Sequence, residues 1–195
     1  MTLDRSILQK LVVRIDVTNY VRIVSRIHAS TPLGMGFGKT RFSSPKDKFR
    51  LLYLAQDPGT AVAETIIRDR FQGRAKRELM ENELDNYSIA AVQNHDPLFL
   101  LDLRNEGASV LGISTNAVRG KAQAAGRRLS QELYDRTDLN GIVYMSRITN
   151  RECVAVYDRA VTKRLEAYGP ALELPRLSVL RDILDQLHVT IIASS

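Results

Sequence analysis

Short apolar runs, unevenly spaced and broken by glycine and proline, constrain this chain more than any other feature. Leu51-Leu52-Tyr53-Leu54-Ala55 is almost wholly apolar and too short for a core helix, so it reads as a buried strand. Tyr20 to Ile27, with Val21, Ile23 and Val24, reads as another. Further strands are predicted at Tyr87–Val92, Leu98–Leu103, Gly141–Ser146 and Glu152–Tyr157, with a last one over His188–Ile192. Helical signals fall irregularly among them. Ile7, Leu8, Leu11, Val12 and Ile15 recur at helical spacing, and residues 115 to 135 look helical. Leu177, Leu180, Leu184 and Leu187 share a face in a terminal helix placed at 173–188, after a hinge at Pro170 to Pro175. Asp57 and Pro58 have the chemistry of a cap and a first helical residue, so a helix is expected to run through Arg68. Strands and helices do not alternate, which favours an α+β fold over a doubly wound sheet.

A length of 195 residues suits one domain, 1–195, and leaves little room for two. No apolar run approaches the length needed to cross a bilayer, so no membrane role is expected. The opening Met1-Thr2-Leu3-Asp4-Arg5 has no apolar signal core, and Cys153 is the single cysteine. The expected location is therefore cytoplasmic, without disulfides or a cysteine zinc cluster. A net charge of +6 attracts polyanions or an acidic partner. Its densest cluster, Arg119, Lys121, Arg127 and Arg128, reads first as a solvated helix face. No aromatic residues interleave with it, so direct nucleic-acid binding is unsupported.

The chain lacks a phosphate-binding Gly-rich Lys loop, a dinucleotide Gly fingerprint and a paired-His zinc motif. His28, His95 and His188 show no ligand spacing, and no metal site is expected. What remains is an ordered set. It comprises Arg26-Ile27-His28, Thr40-Arg41-Phe42-Ser43, Leu52-Tyr53-Leu54-Ala55, Thr60-Ala61-Val62-Ala63-Glu64 and, far downstream, Gly141-Ile142-Val143-Tyr144-Met145-Ser146. Taken singly, each has a plain reading. Glu64 and Arg68 form an i,i+4 ion pair, Tyr53 is a core residue, Ser146 starts a turn and Arg41 is a loop cation.

Over about residues 20–160 the set resembles the RES domain family, named for an arginine, a glutamate and a serine in that order. The resemblance implies an ADP-ribosyltransferase-like fold with a mixed or antiparallel split sheet. It places Arg41, Tyr53, Glu64 and Ser146 in the catalytic site. An earlier arginine joins them to bind substrate; Arg26 fits best and Arg22 stays open. The loop Gly36-Phe37-Gly38-Lys39-Thr40 departs from the double glycine that many members carry before the arginine.

The implied activity is cleavage of the nicotinamide–ribose bond of NAD, by phosphorolysis to nicotinamide and ADP-ribose phosphate. NAD is then the substrate and inorganic phosphate the co-substrate, with no resident cofactor. Glu64 would stabilise the ribosyl cation, and Arg41 and Arg26 would hold the pyrophosphate. Tyr53 would stack on nicotinamide, and Ser146 would donate to a phosphate or to the carboxamide. Glycohydrolysis, ADP-ribosylation of a protein and a nonenzymatic binding module stay open as alternatives. The resemblance also implies a toxin with a helix-turn-helix antitoxin as partner, and leaves a homodimer open.

Overall fold

The computed structural model describes residues 4–71, 74–115, 118 and 123–193. Asp4 caps a short helix, α1 (Arg5–Lys10), by accepting from the amides of Ser6 and Ile7. The helical periodicity of the sequence runs to Ile15, but the helix stops before Leu11. Strand β1 (Val12–Ile15) follows and pairs antiparallel with β6 (Leu98–Asp102). A helix this short has little stability of its own, and β-branched Val12, Val13 and Ile15 fit a pleated surface better.

β2 (Val21–Ser25) is shorter than the expected 20–27, because Arg26–His28 form a 3-10 turn. Residues 30–48 contain neither helix nor strand. β3 (Leu51–Ala55) leads into α2 (Pro58–Val62), and Asp57 accepts from the Thr60 amide at 2.8 Å as its cap. α2 continues as a π-helical turn over Ala63–Ile67. Then come β4 (Glu78–Met80), β5 (Tyr87–Asn94), β6, α3 (Gly107–Val110) and α4 (Ala124–Arg136). The remaining elements are β7 (Gly141–Met145), β8 (Glu152–Tyr157), α5 (Asp158–Arg164), β9 (Leu165–Ala167), β10 (Leu172–Glu173), α6 (Leu180–Gln186) and β11 (Thr190–Ile192).

The terminal-helix expectation is corrected. Within 173–188, Glu173 ends a strand and Leu174–Arg176 form a 3-10 turn, so only α6 is α-helical. Pro175 has no amide to donate and suits the start of a turn better than a helix interior. Of the expected 115–135 helix, α4 is observed; residues 116–117 and 119–122, including Arg119 and Lys121 of the basic cluster, lie outside the described residues. Arg127 is more than a solvated charge, since its Nε donates to the Thr40 carbonyl at 3.1 Å.

The fold is α+β around a mixed sheet. Its strand order is β1-β6-β7-β8-β3-β2-β5-β10, with β9 also on β5, and a separate parallel pair joins β11 to β4. Within the large sheet β6 and β7 run parallel. Both faces of its centre are buried. Leu52, Leu54, Val154 and Val156 pack in one apolar cluster, while Ala55, Cys153, Ala155 and Tyr157 pack in the other. That two-sided burial is why Leu51–Ala55 reads as a continuous apolar run.

One junction in the sheet differs from the rest. β3 pairs with β8 from Leu51↔Tyr157 through Ala55↔Cys153, and β2 pairs with β5 along its whole length. Between β2 and β3, however, the register contains only Val21↔Ala55. The strands splay from that point, and the split sheet opens a cleft beside Arg22, Ile23, Tyr53 and Leu54.

Candidate active site

The cleft encloses about 290 Å³, near the lower end of the range for small-molecule sites. Its polar lining includes Arg22, Thr40, Arg41, Tyr53, Glu64, Arg68 and Tyr144. Glu64 projects from the π-helical turn, where the Arg68 amide donates to the Ala63 carbonyl at 2.8 Å, five residues back. Single π-turns inside helices often mark functional sites. The Glu64 carboxylate is held from both sides. Ser146 Oγ donates to Oε1 at 2.7 Å, and Arg68 Nη1 donates to Oε2 at 3.0 Å. The Glu64 side chain is only 16% exposed, so the i,i+4 pair of the sequence is a wall of the cleft and not an outer-surface ion pair.

Ser146 is buried just beyond β7. Its oxygen accepts from the amides of Ile148 (3.1 Å) and Thr149 (3.3 Å), which fixes the turn after the strand. A hydroxyl has one proton to give, and here Glu64 takes it. In this arrangement Ser146 orients the carboxylate, whereas the resemblance had it donating to a phosphate or to the carboxamide.

Tyr53 ties the irregular loop to the sheet. Its hydroxyl accepts from the Phe42 amide at 3.2 Å and shares a hydrogen bond with Thr40 Oγ1 at 2.8 Å. Phe42 is fully buried and meets the Tyr144 ring edge-on at 5.2 Å. Arg41 is thus carried between two anchored neighbours, and its Nη1 donates to the Val118 carbonyl. Burial lowers the Arg41 pKa, with a further push from Arg147, while Tyr144 and Glu64 oppose that shift. Burial raises the pKa of both Tyr53 and Tyr144.

Arg22 projects from the splayed strand, and its Nη1 donates to the Gly34 carbonyl at 3.1 Å. Burial pulls its pKa down to about 10, so it keeps its charge at neutral pH. Among the described residues no carboxylate lies within ion-pair distance of Arg22 or Arg41. Arg26 is corrected. It sits in the 3-10 turn past the end of β2, 54% exposed and paired with Glu173 at 2.6 Å, outside the cleft. The strand ends one residue too early to carry it inward, and Arg22 occupies the level at which the sheet splits.

The structure therefore brings Arg41, Tyr53, Glu64 and Ser146 together. Of the two arginines left open it places Arg22 at the cleft, and it adds Arg68, Thr40 and Tyr144, which the residue pattern did not single out as the site. Two of these had a readable signal. Tyr144 stands two residues before Ser146 on a strand and so shares its face, and Arg68 stands one helical turn beyond Glu64.

Fold and site together define an α+β protein with a cationic cleft built around one hydrogen-bonded carboxylate. The chain belongs to the RES domain family, whose sequence profile, RES domain, matches residues 12–176. It is 32% identical over 112 residues to the "Probable toxin y4kH" of Sinorhizobium fredii, a match covering 56% of this chain and 87% of that protein. Its fold is similar to a chain in the crystal structure of the MbcT–MbcA toxin–antitoxin complex of M. tuberculosis. That match has a TM-score of 0.67 and 16% identity, covering 93% of this chain and all of the other.

Proposed function

We propose that this chain is a toxin that breaks the nicotinamide–ribose bond of NAD and passes the ribosyl carbon to inorganic phosphate. The observation that carries the reading is the Glu64 carboxylate, held by Ser146 and Arg68 in a cleft that also presents the guanidiniums of Arg22 and Arg41, neither of which has a carboxylate within ion-pair distance among the described residues. A half-buried cation whose only partner among the described residues is a backbone carbonyl lacks a counter-charge, and an anionic ligand would supply it. Planar guanidinium forks match the oxygens of a pyrophosphate or phosphate. The carboxylate suits the opposite charge. As the C1′–N bond breaks, its electrons pass to the pyridinium nitrogen and nicotinamide leaves neutral. The ribosyl carbon then has oxocarbenium character, which a fixed carboxylate stabilises. A phosphate oxygen forms the new C1′–O bond, giving ADP-ribose phosphate. The Tyr53 ring at the cleft wall would pack against nicotinamide.

The names of the sequence relative and of the structural neighbour support the toxin reading and an antitoxin partner. That partner is expected to be a helix-turn-helix protein presenting acidic groups to this +6 chain. Among the described residues no helix is long and apolar enough to cross a membrane. The proposed place of action is the cytosol, where the substrate is.

The test is incubation of purified protein with NAD, with and without phosphate, and identification of products by mass. ADP-ribose phosphate should form with phosphate and unaffected by a chelator. Free ADP-ribose formed regardless of phosphate would make the enzyme a glycohydrolase, and mass added to a protein would make it a transferase. Unchanged NAD under all conditions would overturn the reading.

The guanidinium assignment has its own check. Arg41→Ala should lose about 10- to 100-fold in kcat/KM, the equivalent of a charged hydrogen bond of about 1.5–3 kcal/mol. Arg41→Lys should recover only part of it, because an ammonium lacks the planar fork. Full activity in Arg41→Ala would remove this residue from phosphate binding.

A further inference from the structure

We propose that Arg68 is a positioning residue that holds Glu64 in its reactive orientation, and that Asp69 in turn holds Arg68. The proposal deepens the NAD-cleaving reading and rests on it for its kinetic test. Three carboxylate and guanidinium groups stand in a row behind Ser146. Arg68 gives Nε and Nη2 to Asp69 Oδ2, at 3.2 and 3.0 Å, and Nη1 to Glu64 Oε2 at 3.0 Å. A guanidinium is planar and rigid, so anchoring one edge on Asp69 aims the remaining nitrogen at Glu64.

Ser146 takes the other Glu64 oxygen at 2.7 Å. With each oxygen engaged by a different donor, the carboxylate plane cannot turn about its last bond without breaking a hydrogen bond. Each oxygen still has a second acceptor direction for a ribose hydroxyl or the developing cation. The local backbone suits this task. The π-turn inserts one residue into the helix where Glu64 and Arg68 face each other, and such inserts recur where a side chain must be re-aimed.

Stability alone does not account for the row. The Asp69 side chain is 76% exposed, and exposed ion pairs contribute little to folding. Burial by itself would lower the Arg68 pKa, but hydrogen bonding to Asp69 and the charges of Glu64 and Asp69 raise it overall. Arg68 therefore stays a cation beside Glu64 throughout the working pH range.

The test compares Arg68→Met, Arg68→Lys and Asp69→Ala with the wild type in steady-state NAD cleavage, each with a thermal melt and a crystal structure. Arg68→Met should lose about 100-fold in kcat, the scale of a small misplacement of a catalytic group. Its KM should stay within about twofold, as expected for an interaction that acts on the transition state alone. Arg68→Lys should recover part of the loss, since one ammonium reaches Glu64 or Asp69 but not both. Asp69→Ala should lose about tenfold in kcat with an unchanged melting temperature, and being an exposed change it keeps the test valid if Arg68→Met folds poorly. In the crystal structures of Arg68→Met and Asp69→Ala the Glu64 carboxylate should be turned out of its Ser146 contact. A large KM rise with kcat preserved would make Arg68 a direct substrate ligand and overturn the proposal, as would unchanged kinetics. If the wild type leaves NAD intact, the functional reading fails by itself. The Glu64 orientation in the variant crystals then decides the positioning role, and an unmoved carboxylate overturns it.

Discussion

Replacing Glu64 by Gln is expected to cut NAD cleavage by about 100- to 1,000-fold, the usual loss when one preorganised transition-state contact is removed. The substitution keeps the volume and the acceptor oxygen, so the Ser146 hydrogen bond can persist and the cleft wall stays filled. What disappears is the negative charge facing the ribosyl carbon. The amide also sets an N–H group against Arg68 Nη1 where a carboxylate oxygen now accepts at 3.0 Å. That local conflict sits on a half-buried pair beside the cleft, so a melting temperature close to the parent's is expected. Single-turnover kinetics on folded protein, confirmed by circular dichroism, make the comparison. Parental rates in folded Glu64→Gln would remove the carboxylate from the chemistry.

The largest expected effect on stability comes from a residue with no side chain. Gly141 opens β7 opposite Val156 of β8. A Cβ at this position would stand 2.1 Å from the Ala155 carbonyl oxygen and 3.0 Å from Val156 Cα. Both are backbone atoms of a buried strand paired on its other edge with β3, so neither can yield without disturbing two ladders. Asn140 adds to the constraint by accepting from the Tyr157 amide at 2.8 Å and donating its own amide to Phe99. Gly141→Ala should therefore destabilise the fold by on the order of 3 kcal/mol or more, the upper range of overpacking in a well-packed core. At about 2–4 °C per kcal/mol for a chain of this size, the melting temperature should fall by roughly 6–12 °C. Because β7 also carries Tyr144 and leads to Ser146, activity should fall with it. An unchanged melting temperature would show that the β7–β8 ladder relaxes more freely than this packing allows.

The parts of the fold that the sequence made legible share one property: local chemistry and tertiary packing agree there. Leu51–Ala55 is apolar on both faces because two clusters sandwich it, and Asp57-Pro58 has no better use than to start a helix. Where the two disagree, packing prevailed. Val12 and Ile15 fit a helical face yet serve as a strand, because the edge of β6 offers them a ladder. The arginine of the site was ambiguous for a related reason. Arg22 and Arg26 differ only in where β2 ends and where the sheet splits, and neither boundary is written in the residues themselves. The role of Ser146 depended on which partner its one proton met, and Glu64 lies 82 positions away in sequence. Arg68 was visible as an ion-pair partner, but its second partner, Asp69, gains meaning only from the fork geometry.

Expression in a bacterial host tests the central claim most directly, with growth and the cellular NAD pool followed for the wild type and for Glu64→Gln. Wild-type protein alone should stop growth while NAD drains from the cells, and the variant, made in equal amount, should do neither. Normal growth with a full NAD pool, despite abundant folded wild-type protein, would contradict the account.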